Sequence, residues 1–271
     1  MTMIRQGSRR FLVTWLLLFF LFQAAPARTQ VFALSPKQEV ELGRRAAMEV
    51  ERRYPLARNP AMQRRVQGLG QRLARHSGRR IPYHFRVLDL REVNAFALPG
   101  GYVYVNRAAV ELARSDSELG GVLAHEIAHV ARRHGVKQAE KAQKLGLGLG
   151  VLDMVLGGRG VGASLANLGA RMVGDGVYLK YSRDAEREAD CEGVFIMRRA
   201  GMDPRGMLTF LHRMAQLQRS NPGRVSTFFS SHPSLQERER NIGSLIGARA
   251  SAPRATAHHP LPPRRSPELK T

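Results

Sequence analysis

Two histidines four residues apart, with a glutamate directly after the first, lie in the segment GGVLAHEIAHVARRH at residues 120–134. In an α-helix, His125 and His129 would project from the same face, because four residues make close to one turn. Neutral imidazoles at this spacing suit Zn²⁺, and Glu126 is then placed to take a proton from an attacking water as general base. A chance match to HExxH is the alternative, and a third metal ligand is needed to exclude it.

Two arrangements could supply that third ligand. In the metzincin pattern, a glycine stands seven residues after the first histidine and a third histidine stands ten residues after it. Those positions hold Arg132 and Gly135, so this pattern is excluded. The other arrangement is an acid on a second helix, and the segment EREAD at residues 186–190 offers three.

The three acids differ in the direction they would face on a helix. Glu186 and Asp190 share one face, whereas Glu188 points about 200° away. We therefore expect Glu186 to bind the metal, completing a three-ligand site for one zinc ion with an open fourth position. Asp190, one turn on, is expected to accept the spare N–H of His125 and hold its tautomer. Glu188 is expected to be a solvated charge.

The helix that carries the two histidines has a recognisable start. Ser115 and Glu118 have the spacing of a capping box, so a helix that begins there places both histidines in its third turn. His134 and Gly135 fit its end, where a histidine can meet the last carbonyl groups and a glycine can reverse the chain.

Other helix starts and three strands are also visible. Ser35-Pro36, Asn59-Pro60, Ser182 and Asp203-Pro204 are typical caps, and SHPSLQERERNIGSLIG predicts a last helix with Pro233 in its first turn. Between the second helix and the histidine segment, the apolar residues alternate. IPYHFRVLDL (81–90) predicts one strand, and NAFALPGGYVYVN (94–106) predicts two strands joined around Pro99-Gly100-Gly101. The sequence therefore predicts a mostly helical α+β domain with a small sheet.

The N-terminus predicts export. Residues 1–27 combine three early arginines, the uncharged run FLVTWLLLFFLF (11–22) and an A-x-A pattern at Ala25 and Ala27. This order is that of a secretory signal peptide, since twelve apolar residues are too few to span a bilayer comfortably. The chain has one cysteine, Cys191, so no internal disulfide can form.

The charge and two unusual segments bear on partners. The net charge of +21 favours anionic surfaces, but without a binding motif it does not indicate nucleic-acid binding. Residues 145–176 are rich in glycine and leucine, which suits an apolar lid, a membrane-facing hairpin with peripheral membrane contact, or a poorly packed helix pair. Residues 248–271 are rich in proline and arginine, as in a disordered tail.

Four segments together make the chain resemble a known family, the gluzincin endopeptidases. That family includes the CAAX prenyl protease, the HtpX heat-shock protease, the mitochondrial OMA-type protease and the periplasmic assembly-enhancing protease. The segments are HEIAHV (125–130), YSRDAEREAD (181–190), NAFALPGGYVYV (94–105) and SHPSLQER (231–238). The likeness covers residues 35–247. The periplasmic relatives can have a C-terminal helical-repeat domain, whereas here we expect only the proline-rich tail.

The resemblance implies a zincin-type zinc metallopeptidase domain that cleaves misfolded or misassembled proteins in the periplasm or another exported location. It also implies that the hairpin before the metal helix presents an edge strand, to which an extended substrate adds through main-chain hydrogen bonds. His232 of the SHP segment is expected near the zinc. It would act as an oxyanion donor or as a fourth ligand that holds the enzyme off, with a helix cap as the alternative. Arg238 would steady either state or be a solvated charge.

A second function remains open on the sequence. The same edge strand would serve a zinc-stabilised chaperone or assembly factor that binds clients and cleaves them little. The presence of His125, Glu126, His129 and Glu186 together favours the protease.

Overall fold

The computed structural model describes residues 34–138 and 181–247. The predicted signal peptide (1–27), the glycine-rich segment 145–176 and the tail 248–271 lie outside the described residues. The helices are α1 (Pro36–Arg53), α2 (Pro60–Ala74), α3 (Arg107–Leu112), α4 (Asp116–Ala131), α5 (Arg183–Arg199), α6 (Arg205–Ser220), α7 (Ser226–Ser231) and α8 (Leu235–Gly247). The strands are β1 (His84–Leu88), β2 (Ala95–Leu98) and β3 (Tyr102–Asn106). The predicted α+β class with helices in the majority is confirmed.

Side-chain caps explain where several helices begin. The Ser35 hydroxyl accepts the N–H of Gln38, and the Gln38 side chain accepts the N–H of Ser35, which completes a capping box. The Asn59 side chain accepts two N–H groups in the first turn of α2, and Ser182 accepts the N–H of Ala185 in α5. These three predicted starts are confirmed.

The start of α4 differs from the predicted capping box in one bond. The Ser115 hydroxyl accepts the N–H of Glu118 as expected. The Glu118 carboxylate, however, accepts the N–H of Arg114 at 2.8 Å and pairs with Arg213 of α6 at 3.1 Å. The buried carboxylate therefore holds the start of α4 against a neighbouring helix.

The end of α4 also differs from the prediction. The helix ends at Ala131, and the chain then turns through Arg133, whose φ of 56° lies in the left-handed region. His134 begins a further helical stretch that runs through residue 138. The reversal that we expected at Gly135 is thus made two residues earlier, at Arg133, which has a side chain.

The three strands form one mixed sheet in the order β1-β3-β2. β1 runs parallel to β3, and β2 runs antiparallel to it, joined through the short 3-10 turn Pro99–Gly101. The predicted hairpin is confirmed. Among the described strands, β2 lies at an edge of this sheet, and it packs against α4.

Helix α4 is buried on nearly every side, because α2, α5, α6 and the sheet pack around it. Glycines permit the closest of these approaches. A Cβ at Gly121 of α4 would lie 2.6 Å from the backbone of Met207, and one at Gly206 would lie 2.3 Å from the carbonyl of Ser117. The interface between α4 and α6 therefore depends on both glycines, and it fixes the face that α4 presents to α5.

The SHP segment lies outside the last helix. α7 ends at Ser231, and α8 begins only at Leu235, so Pro233 is not in the first turn of α8 as predicted. Among the described residues, no helix combines the length and apolar character that crossing a membrane requires.

Candidate metal centre

Four buried side chains bring their donor atoms together between α4, α5 and the segment after α7. They are His125, His129, Glu186 and His232, and one donor atom from each lies within 4.8 Å of all the others. The Nε2 atoms of His125 and His129 are 3.0 Å apart. His232 Nδ1 lies 3.3 Å from His125 Nε2 and 3.0 Å from a Glu186 carboxylate oxygen. The sequence prediction that the first three converge, with His232 nearby, agrees with this geometry.

The spacing of these atoms fits a small tetrahedral cation. Ligands at the usual zinc–nitrogen distance stand about 3.3 Å apart on a tetrahedron. The contacts of Glu186 with the two histidines of α4 are both 3.5 Å, so the shortest separations in the group run from 3.0 to 3.5 Å. The donor set therefore fits a metal ion with imidazole and carboxylate ligands.

Glu126 lies beside this group with its carboxylate unpaired. The residue is fully buried, and neither carboxylate oxygen has a hydrogen-bond partner among the described residues. The Nε2 atom of His232 lies 3.6 Å from one of the Glu126 carboxylate oxygens. Burying a carboxylate without a hydrogen-bond partner costs free energy. Such a group therefore indicates a position where a water or a ligand binds.

The outer nitrogen of His125 is held by a buried ion network. Its Nδ1 lies 3.0 Å from Asp190 Oδ1, as predicted. Both Asp190 oxygens accept hydrogen bonds from the Arg238 guanidinium, at 2.7 and 2.9 Å. Arg238 also lies 3.2 Å from Glu186, so it joins the two acids of α5. It is only 3% exposed, which excludes the alternative that it is a solvated charge, while its expected role of steadying His232 stays a prediction.

This network sets the protonation states of the site. Burial raises the pKa of Glu186, but the positive charges of His232 and Arg238 outweigh it and hold that pKa well below its ordinary range. Burial and Arg238 lower the pKa of His125, whereas its bonds to Asp190 and Glu186 raise it to about 9. The carboxylates of Glu186 and Asp190 therefore stay ionised, and their negative charges favour a positive charge at His125. A metal cation bound to His125 can supply this charge in place of a proton.

The outer nitrogen of His129 is held differently. Its Nδ1 lies 2.9 Å from Nδ1 of His134, and Nε2 of His134 lies 3.0 Å from Glu188. The Tyr181 ring stacks on the His129 ring, with centroids 3.9 Å apart. His134 is thus no helix cap, and Glu188, although half-exposed, is paired. Sequence reasoning missed Tyr181, because an aromatic residue just before a helix is usually part of the core.

A histidine helix beside an edge hairpin, with an acid supplied from a second helix, defines a zincin-type α+β domain. Residues 60–246 match the pattern of peptidase family M48. The chain therefore belongs to peptidase family M48.

Individual relatives agree with this assignment. The chain is 30% identical over 213 residues to the beta-barrel assembly-enhancing protease of Escherichia coli (strain K12), covering 76% of this chain and 43% of that protein. It is 27% identical over 226 residues to metalloprotease LoiP of the same strain, covering 81% and 84%. It is 33% identical over 151 residues to the mitochondrial metalloendopeptidase OMA1 of Schizosaccharomyces pombe (strain 972 / ATCC 24843), covering 55% and 42%. The chain thus spans less than half the length of the first of these relatives.

Proposed function

We propose that this chain is an exported zinc metalloendopeptidase that hydrolyses peptide bonds in misfolded or misassembled envelope proteins. The observation that carries the proposal is the unpaired, fully buried Glu126 carboxylate beside a converging group of imidazole and carboxylate donors. A carboxylate with no partner in that position is suited to accept a proton from a water that attacks a peptide carbonyl.

His125, His129 and Glu186 would hold the ion. Two imidazoles and one carboxylate in tetrahedral spacing are typical ligands of a catalytic zinc. When bound, zinc would supply Lewis-acid activation of the attacking water and of the substrate carbonyl. Asp190 fixes the tautomer of His125 so that Nε2 faces the other donors, and Arg238 keeps Asp190 ionised in its buried position.

Glu126 would move the proton in both halves of the reaction. It first takes a proton from the water and then gives it to the amine that leaves when the peptide bond breaks. Its buried carboxylate has no hydrogen-bond partner among the described residues that would hold it in one orientation, which suits this double role.

His232 could act in either of two ways, and its position favours one of them. Its Nδ1 stands among the donor atoms, 3.3 Å from His125 Nε2 and 3.0 Å from Glu186. This distance favours a fourth ligand that occupies the open position and holds the enzyme off until substrate arrives. An oxyanion donor would instead have to approach the substrate rather than the two ligands.

The substrate would bind along β2. Ala97 and Leu98 at the end of this strand, with Pro99 just after it, line a small cavity together with His129 and Tyr181. An extended peptide that pairs with the edge through its main chain would pass this cavity, and main-chain pairing accepts many sequences. Misfolded proteins offer such extended segments. The named role of the Escherichia coli relative in assembly of β-barrels supports an envelope substrate and an exported location.

Digestion of an unfolded test protein tests the proposal. The purified chain is assayed as isolated, after chelation, and after zinc is restored, beside Glu126→Gln and the surface control Glu111→Gln. We expect chelation to abolish cleavage and zinc to restore it. Glu126→Gln should lose roughly 10²–10⁴-fold of the rate while it keeps its zinc, and Glu111→Gln should match the wild type. Equal cleavage by the Glu126→Gln chain would overturn the proposal.

A chaperone or assembly factor is the second candidate, and the closeness of His232 to the other donors favours it. A chain whose donors remain closed by a fourth ligand would bind clients without cutting them. If the wild type prevents aggregation of the test protein at full strength and yields no fragments with zinc bound, this function replaces the protease.

A further inference from the structure

The second histidine of α4 has an outer contact that neither the donor set nor Glu126 explains. His129 Nδ1 lies 2.9 Å from His134 Nδ1, and His134 Nε2 lies 3.0 Å from Glu188 Oε2. His134 is 5% exposed, whereas the Glu188 side chain is 40% exposed. A buried imidazole therefore links a donor of the candidate metal centre to a carboxylate at the surface.

The direction of each hydrogen bond follows from the position of His129. Its Nε2 faces the other donors, so its Nδ1 has the proton and donates it to His134 Nδ1. With Nδ1 as an acceptor, neutral His134 must have its proton on Nε2, and it donates this proton to Glu188. The three groups form one consistent series without any buried charge.

An unfavourable backbone conformation at Arg133 places His134 in this position. On a continued helix, residue 134 would face about 140° away from residue 129. Instead the helix stops, and Arg133 adopts a left-handed conformation at φ 56°, which is unfavourable for a residue with a Cβ. The Arg133 side chain offsets this by donating to Glu39 at 2.8 Å and to the Leu34 carbonyl at 2.7 Å. This turn brings the His134 side chain into contact with His129.

We propose that His134 and Glu188 are positioning residues for His129, and that they fix its tautomer and ring orientation for metal binding. This inference rests on the proposed function, since it assigns the two residues to the support of one zinc ligand. Outer partners of this kind are usual for metal-binding histidines, and their loss typically weakens metal affinity by about 10–100-fold.

Glu192 provides a matched control for Glu188. Both acids lie on α5, and both pair with Arg132 from the turn after α4. Of the two, Glu188 contacts His134, at 3.0 Å. A change that acted only through surface charge would therefore affect both positions alike.

The test measures zinc affinity, by competition with a chromophoric chelator, rather than activity. We expect His134→Leu to bind zinc about 10–100-fold more weakly. His134→Asn should recover part of the loss, because its Oδ1 can accept the proton of His129 in place of Nδ1. Glu188→Gln should show a smaller loss, and Glu192→Gln none. The visible spectrum of the Co²⁺-substituted protein should change in His134→Leu and return toward wild type in His134→Asn.

Each outcome bears on the proposal. Wild-type zinc affinity in both His134→Leu and Glu188→Gln overturns it while the proposed function stands. Equal losses in Glu188→Gln and Glu192→Gln also overturn it, since they indicate surface charge alone. If His134→Leu does not fold, the half-exposed Glu188→Gln and the Asn variant decide. A wild-type chain that binds no zinc overturns the proposed function and this inference with it.

Discussion

The two histidines of α4 point their inner nitrogens at the same place but are held from outside by opposite means. His125 contacts a buried ion network, in which Arg238 donates hydrogen bonds to both oxygens of Asp190. His129 contacts a neutral imidazole, that of His134, whose other nitrogen lies within hydrogen-bond distance of the half-exposed Glu188 carboxylate. The partners of His125 are charged and fully buried. On the side of His129, the buried partner His134 is uncharged, and the charged Glu188 lies at the surface.

This difference predicts how each side fails. Buried ions are stable only as a complete set, because removal of one leaves the others charged in a poorly solvating interior. A neutral series that ends near water tolerates loss of its last member, since solvent can replace it. Damage on the His125 side should therefore destabilise the fold, and damage on the His129 side should mainly weaken metal binding.

Replacement of the buried arginine should have the largest effect. Arg238→Met leaves Asp190 and Glu186 without their shared partner, and we expect a loss of about 3–5 kcal/mol in the free energy of unfolding. Urea unfolding of metal-free protein measures it. The control is Arg132→Met on the other side: its side chain is 46% exposed, so the loss should stay below about 1 kcal/mol. Similar losses in both variants would show that the two supports do not differ.

The His232→Ala variant tests whether His232 acts as a fourth, removable metal ligand beside His125. Loss of a self-inhibiting fourth ligand should raise basal cleavage of the unfolded test protein. Loss of an oxyanion donor should instead lower turnover by about 100-fold or more. We expect the rise, because His232 Nδ1 stands 3.3 Å from His125 Nε2. An unchanged rate would leave His232 as a packing residue.

The ion network should also make the cost of losing Arg238 depend on pH. Burial raises the pKa of Asp190, but Arg238 and His125 together outweigh it and hold that pKa below its ordinary value of 3.8. A depressed carboxylate pKa stabilises the fold above the unfolded-state value and loses that contribution as pH falls through the folded-state value. The stability gap between wild type and Arg238→Met should thus be widest near neutral pH and narrow in acid. A gap that stays constant as the pH falls from 7 to well below 3.8 would contradict this.

The sequence predicted the parts of the centre that depend on local spacing. His125 and His129 are one turn apart, and Glu186 and Asp190 are one turn apart, so each pair shares a face wherever its helix lies. Capping residues then located the helices. The side chains that converge were therefore predictable, while their roles stay predictions.

The parts that depend on packing between distant segments were not predictable. Arg238 was expected either to steady His232 or to be a solvated charge, because nothing local shows that α8 brings it between two acids of α5. Glu188 faces away from Glu186 as predicted, yet it meets His134, which the left-handed turn at Arg133 moves off the expected course. A non-glycine residue in that conformation leaves no local sequence signal, and Gly135 was the more obvious candidate.

Metal content tests the central claim most directly, that three side chains form the centre and His232 is an addition to it. We expect about one zinc per chain in the wild type, clear loss in His129→Ala and Glu186→Gln, and retention in His232→Ala. Full zinc content in Glu186→Gln, or a wild type that binds none after exposure to zinc, would contradict the claim.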